Sequence, residues 1–117
     1  EGADAVILSN HAGRQMDSML APLHALPAVV EAVGDYPVLL DSAVRRGSDV
    51  LKALALGARF VFVGRPMLYA AAIGGEPGVA HALNLLRAEV DRNLALLGAR
   101  SLAELDRDLL APARPSA

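Results

Sequence analysis

The 117-residue chain is predicted to be an α/β protein on a parallel sheet, and more specifically part of a (β/α)8 barrel. Three observations predict this. Three short runs, Ala5-Val6-Ile7-Leu8, Pro37-Val38-Leu39-Leu40 and Phe60-Val61-Phe62-Val63, are continuously apolar, as parallel strands covered on both faces are. A helical periodicity follows each run, and a strand–loop–helix alternation of this kind requires crossover connections. Three strands alone leave both sheet edges bare, and closure into a barrel removes edges. An open doubly wound sheet is the competing architecture.

The first helix is carried by Leu23, Leu26, Val29, Val30 and Val33, which recur at spacings of three and four until Gly34 stops the pattern. The second runs from Asp49 to Leu56, opened by Gly47 or Ser48 and closed by Gly57. Beyond the third strand come an apolar stretch at 67–73, the break Gly74-Gly75-Glu76-Pro77-Gly78, and a long amphipathic helix over 79–97. Its apolar stripe is Leu83, Leu86, Val90, Leu94 and Leu97. Ser101 and Glu104 have capping-box spacing and predict one more short helix. Residues 1–110 read as one portion of a single domain, and 111–117 as a flexible tail.

Composition narrows the function. Eleven basic against thirteen acidic side chains give a formal charge of −2, so no general attraction to nucleic acid is built in and an anion must be met locally. The absence of Cys excludes disulfides, thiolate nucleophiles and Cys-type metal sites, and fits a reducing, cytoplasmic setting, with peripheral membrane association left open. No apolar run reaches the roughly 18 residues of a membrane span. Glu1-Gly2-Ala3-Asp4 lacks the regions of a signal peptide, and the chain enters a strand almost at once without an initiator Met, so it is expected to be a piece of a longer polypeptide. Asp, Glu and His are not clustered at ligand spacing, and no metal is predicted.

Polar residues gather where each strand ends: Ser9-Asn10-His11-Ala12-Gly13-Arg14, then Asp41-Ser42-Ala43-Val44-Arg45-Arg46, then Gly64-Arg65. In a barrel all three clusters converge on one mouth. His11 has a reference pKa near 6.5 that suits proton abstraction. A lone histidine is more often a backbone hydrogen-bonding residue, but Arg14, three residues on, adds a two-pronged carboxylate clamp beside the base. His24 and His81 lie in helical segments without such company and read as packing or surface residues. Arg45 and Arg65 leave successive strands beside the small residues Ser42, Ala43 and Gly64, an arrangement suited to phosphate. The blander reading makes Arg45 and Arg46 solvated helix-start charges. Asp41 is open to two uses, binding the hydroxyls of a phosphorylated cofactor or neutralising Arg45.

These three motifs, with Lys52-Ala53-Leu54-Ala55-Leu56-Gly57-Ala58, resemble the C-terminal third of the FMN-dependent α-hydroxy acid oxidases and dehydrogenases, the family of glycolate oxidase, lactate oxidase and mandelate dehydrogenase. The resemblance covers nearly the whole chain, to about Leu110. It implies that the strands are the sixth to eighth of a (β/α)8 barrel, that FMN is the cofactor, and that a 2-hydroxy acid, mandelate- or lactate-like, is oxidised to the 2-oxo acid. It makes His11 the proton acceptor and Arg14 the ligand of the substrate carboxylate. Ser9 would contact the flavin and Asp41 the ribityl chain, while Arg45, Gly64 and Arg65 hold the phosphate with backbone from Ser42, Ala43 and Val44. The implied partners are the N-terminal part of the barrel and further copies in a homo-oligomer.

Two positions depart from the family pattern. Ala12 stands where the family motif has glycine, a replacement without cost only at negative φ. Ala43 adds a methyl where backbone approaches the cofactor. Asp41-Ser42 with Arg45-Arg46-Gly47-Ser48-Asp49 leans toward the mandelate dehydrogenase branch. The family's flavin-polarising lysine, active-site tyrosines and second carboxylate-binding arginine belong to earlier strands, so these 117 residues alone are predicted to be inactive. A competing reading is a catalytically inactive half-barrel-like module that binds phosphate or self-associates. Another keeps the barrel but makes it an isomerase or lyase, against which the His11 and Arg14 pair argues.

Overall fold

The computed structural model describes residues 2–111; residues 112–117, and with them nearly all of the expected tail, lie outside the described part. Three parallel strands, β1 (Val6–Leu8), β2 (Val38–Leu40) and β3 (Phe60–Val61), form one sheet in the order β1-β2-β3. Register aligns Ile7 with Leu39 and Leu39 with Phe60, and likewise Leu8 with Leu40 and Leu40 with Val61. The third strand is shorter than its apolar run, yet the ladder extends one step further through the Phe62 N–H, which donates to the Leu40 carbonyl at 2.8 Å.

Helices α1 (Pro22–Val33) and α2 (Gly47–Ala55) cover one face of this sheet. Pro22 opens α1 in the first turn, where its missing N–H costs nothing. Leu26 from α1 and Ala53 from α2 meet Val38 and Leu40 from β2, with Val44 and Ala58 completing the buried core. Period-2 alternation puts Ile7, Leu39 and Phe60 on the opposite face. There Ile7 is 60% and Phe60 56% exposed, and Phe60 meets Phe62 edge-on with ring centroids 5.1 Å apart. The expectation of strands covered on both faces is therefore met on one face only, because both helices return to the same side.

Helix α3 (Arg65–Leu97) is long but broken where the glycine cluster predicted, at Gly75, whose φ of 57° and ψ of −145° belong to glycine almost alone. Its second half packs along α2. Leu86, Val90 and Leu94 of the predicted stripe are half-buried, whereas Leu83 and Leu97 remain exposed. At the contact with α2, a Cβ on the buried Gly47 would stand 2.5 Å from the Val90 backbone nitrogen, so only glycine fits. The helix expected from Ser101 is instead a 3-10 turn, Leu102–Glu104, followed by another, Arg107–Leu109. The Glu104 carboxylate reaches the Arg100 N–H at 2.9 Å and its guanidinium at 3.0 Å, so no capping box closes on Ser101. Among the described residues no helix is long and apolar enough to cross a membrane.

Candidate active site

The chain leaves β1 into a tight 3-10 turn, His11–Gly13, which the sequence did not announce. His11 and Ala12 both lie in the left-handed region, at φ 54° and 53°, and Gly13 follows at 72°. The condition that made Ala12 harmless is thus not met: alanine occupies a glycine-like conformation, at a cost of roughly 1–2 kcal/mol for each non-glycine residue so placed. Ser42 and Ala43, after β2, repeat the pattern at φ 94° and 62°.

Hydrogen bonds hold this conformation from outside the turn. The His11 N–H donates to Ser9 Oγ at 3.1 Å, the Ala12 N–H to Ser42 Oγ at 3.1 Å, and Arg65 Nη2 to the Ala12 carbonyl at 2.7 Å. Ser9 Oγ in turn donates to Asp41 Oδ2 at 2.7 Å. Since a hydroxyl has one hydrogen, the 3.0 Å contact between Ser9 Oγ and Ser42 Oγ takes its proton from Ser42. Asp41 is therefore engaged by the Ser9 hydroxyl, with Ser42 Oγ 3.4 Å from the same carboxylate oxygen, and among the described residues it forms no ion pair with Arg45.

The two arginines after β2 have different surroundings. Asp49 accepts the backbone N–H groups of Arg45 and Arg46 at 3.1 and 3.0 Å, fixing the approach to α2. The Arg46 side chain pairs with Glu89 of α3 at 3.0 Å, and the second Glu89 oxygen accepts the Gly47 N–H at 2.8 Å. The Gly47 amide and then the Arg46 hydrogen bond, helped by the charges of Arg46 and Arg92, outweigh desolvation and hold the Glu89 carboxyl below the ordinary glutamate value. Glu89 caps α2 from the neighbouring helix; its separation in sequence gave no local signal. Arg46 faces α3, while Arg45 lines the cleft.

That cleft has a volume of about 400 Å³ and lies at the C-terminal ends of all three strands. His11 and Arg14 line it from the turn after β1, Asp41, Ser42, Ala43, Val44 and Arg45 from the loop after β2, and Gly64 and Arg65 from the end of β3. Ser9 is not part of this lining but is joined to it through Asp41 and Ser42. His24 and His81 are exposed on α1 and α3, away from the cleft. Asn10, which the sequence did not single out, also lines it; Nδ2 donates to the Leu20 carbonyl at 3.3 Å, while Oδ1 is buried without a partner.

The donor set at one end suits a phosphate. Arg45 and Arg65 supply two guanidinium groups beside the start of α3, which no side chain caps. Pro66 has no N–H, and the Met67 and Leu68 amides donate to the Gly64 carbonyl, so the guanidinium groups carry most of the anion-binding capacity. A Cβ on Gly64 would enter open space, so the glycine leaves that part of the cleft wall bare.

The family model described as FMN-dependent dehydrogenase matches residues 1–112. L-lactate oxidase of Nostoc sp. is 48% identical over 93% of this chain, and (S)-mandelate dehydrogenase of Pseudomonas putida is 52% identical over 94%. The solved structure of a soluble mutant of the membrane-associated (S)-mandelate dehydrogenase from Pseudomonas putida superposes with a TM-score of 0.90, at 51% identity over 94% of this chain. The chain spans 30% and 28% of the two relatives and 31% of that structure. With the match running through every strand and helix of the described fold, the chain belongs to the FMN-dependent dehydrogenase family.

Proposed function

We propose that these residues form strands six to eight of a (β/α)8 barrel whose whole enzyme uses FMN to oxidise a 2-hydroxy acid to the 2-oxo acid, with 1–110 belonging to that single domain. The observation that carries this is the cleft, which the three strand ends line with one histidine and three arginines, His11, Arg14, Arg45 and Arg65. Five further strands would close the barrel and cover the open face of Ile7, Leu39 and Phe60. Arg45 and Arg65 would grip the cofactor phosphate, Gly64 would leave it room, and Asp41 with Ser9 would meet the ribityl chain and flavin. Bound there, FMN supplies a two-electron acceptor. Arg14 holds the substrate carboxylate through a paired hydrogen bond, which fixes the carbon bearing the hydroxyl against His11. His11 takes the proton that leaves the substrate.

The relatives named for lactate and for mandelate differ by only a few per cent in identity to this chain, so the substrate class supported is the 2-hydroxy acid as such. The test is a pair of variants in the whole enzyme. His11→Ala is expected to slow reduction of the bound flavin about 1,000-fold with FMN content unchanged. Arg65→Ala is expected to lower FMN retention on gel filtration. Reduction surviving in the first variant would remove His11 from the chemistry, and full cofactor content in the second would remove Arg65 from the phosphate site.

A further inference from the structure

Among the described residues the His11 side chain makes no hydrogen bond; its backbone N–H does, to Ser9 Oγ at 3.1 Å. What the turn sets for His11 is the direction of its Cα–Cβ bond, and the backbone there is in a conformation that L-residues avoid. Left without support, His11 and Ala12 would relax toward negative φ, turning the His11 Cβ away from its present direction. Two consecutive amides of the turn are held by two hydroxyls in mutual contact, the Ala12 N–H by Ser42 Oγ and the His11 N–H by Ser9 Oγ. Ser42 comes from a different loop, 30 residues away in sequence from Ala12, and is itself at φ 94°. Such strain persists where the surroundings over-determine it.

We infer that Ser42 is a positioning residue for His11: its hydroxyl, bridging the Ala12 N–H and Ser9 Oγ, ties the loop after β2 to the left-handed turn and thereby sets where the base stands. The inference rests on the proposed role of His11 as proton acceptor. It assigns the Ser42 side chain a task separate from any contact of its backbone with cofactor. The Ala12 N–H is only partly buried, so losing the tether frees the turn to sample other conformations without unfolding the domain.

Two variants of the whole FMN-loaded enzyme separate this from a structural role, because both remove the hydroxyl but only one of them relieves the backbone strain. Ser42→Ala keeps a side chain at φ 94°, whereas Ser42→Gly relieves that conformation. Both are expected to retain FMN and to slow flavin reduction at saturating substrate about tenfold, a loss in line with a displacement of well under 1 Å at the base. Both should also accelerate hydrogen exchange at the His11 and Ala12 amides, read by mass spectrometry. The thermal midpoint should fall for Ser42→Ala and hold or rise for Ser42→Gly. If Ser42 served stability alone, activity would follow the midpoint and the glycine variant would work at the parental rate; that result, or unchanged exchange in both variants, overturns the inference. Exchange is read without substrate, so it distinguishes the two levels of the claim. A parent enzyme whose flavin no 2-hydroxy acid reduces would overturn the functional reading and the catalytic purpose of the tether together, while unchanged exchange in an active enzyme overturns Ser42 alone.

Discussion

The helix-covered face of the sheet and the ends of its strands are built on opposite terms. On the covered face Leu26, Val38, Leu40 and Ala53 are at most 1% exposed, and apolar contact alone accounts for their placement. At the strand ends four non-glycine residues sit in left-handed conformations, and two of them, His11 and Ala12, are held there through their backbone by Ser9, Ser42 and Arg65. The first region lowers the free energy of the fold and the second draws on it. Strain concentrated where polar groups converge, and held by hydrogen bonds from other elements, is the pattern expected of a site shaped for chemistry.

Breaking the covered face should give the largest effect. Leu26→Ala removes a fully buried side chain and is expected to cost about 3 kcal/mol in urea unfolding, while the surviving folded enzyme keeps its flavin reduction rate. A change in rate per folded molecule would show that the two regions are not separable. At the strand ends the sign reverses. Ala12→Gly relieves a left-handed alanine and, after the added flexibility of the unfolded chain, should raise stability by about 0.5–1 kcal/mol. A loss of stability in this variant would mean that the turn is not strained as its dihedral angles indicate.

The smallest effect concerns the margin between the regions, where Glu89 holds the start of α2. Its carboxyl titrates below the ordinary value of 4.5, so its stabilisation is complete above that pH and fades as pH falls through the lowered folded value. Thermal midpoints measured along an acid titration should therefore differ between the parent and Glu89→Gln at neutral pH and converge in acid. Parallel curves would separate Glu89 from the acid sensitivity of the fold.

What the sequence showed and hid follows this same division. Strands, helices and the break near Gly75 were legible because apolar periodicity and glycine act within a few residues. The convergence of His11, Arg14, Arg45 and Arg65 was legible for a related reason: in a parallel α/β sheet, each strand end faces the same way. The left-handed turn at His11 and Ala12 was not, since the groups that stabilise it are Ser42 and Arg65, on two other loops. Asp41 and Arg45 gave an ambiguous pair, because spacing allowed an ion pair and only the position of Ser9 showed what Asp41 accepts. Ser101 and Glu104 show the converse: a correct local spacing whose carboxylate found Arg100 first.

The contact at Gly47 acts as a ruler. With its α-carbon pressed against the backbone at Glu89 and Val90, and its N–H held by Glu89, α2 has one allowed longitudinal offset along α3. Sliding by a residue would bring a Cβ where none fits. Because Arg45 precedes that contact by only two positions, and Asp49 ties its amide to the first turn of α2, the outermost helix calibrates how far the cleft arginine stands from the strand end.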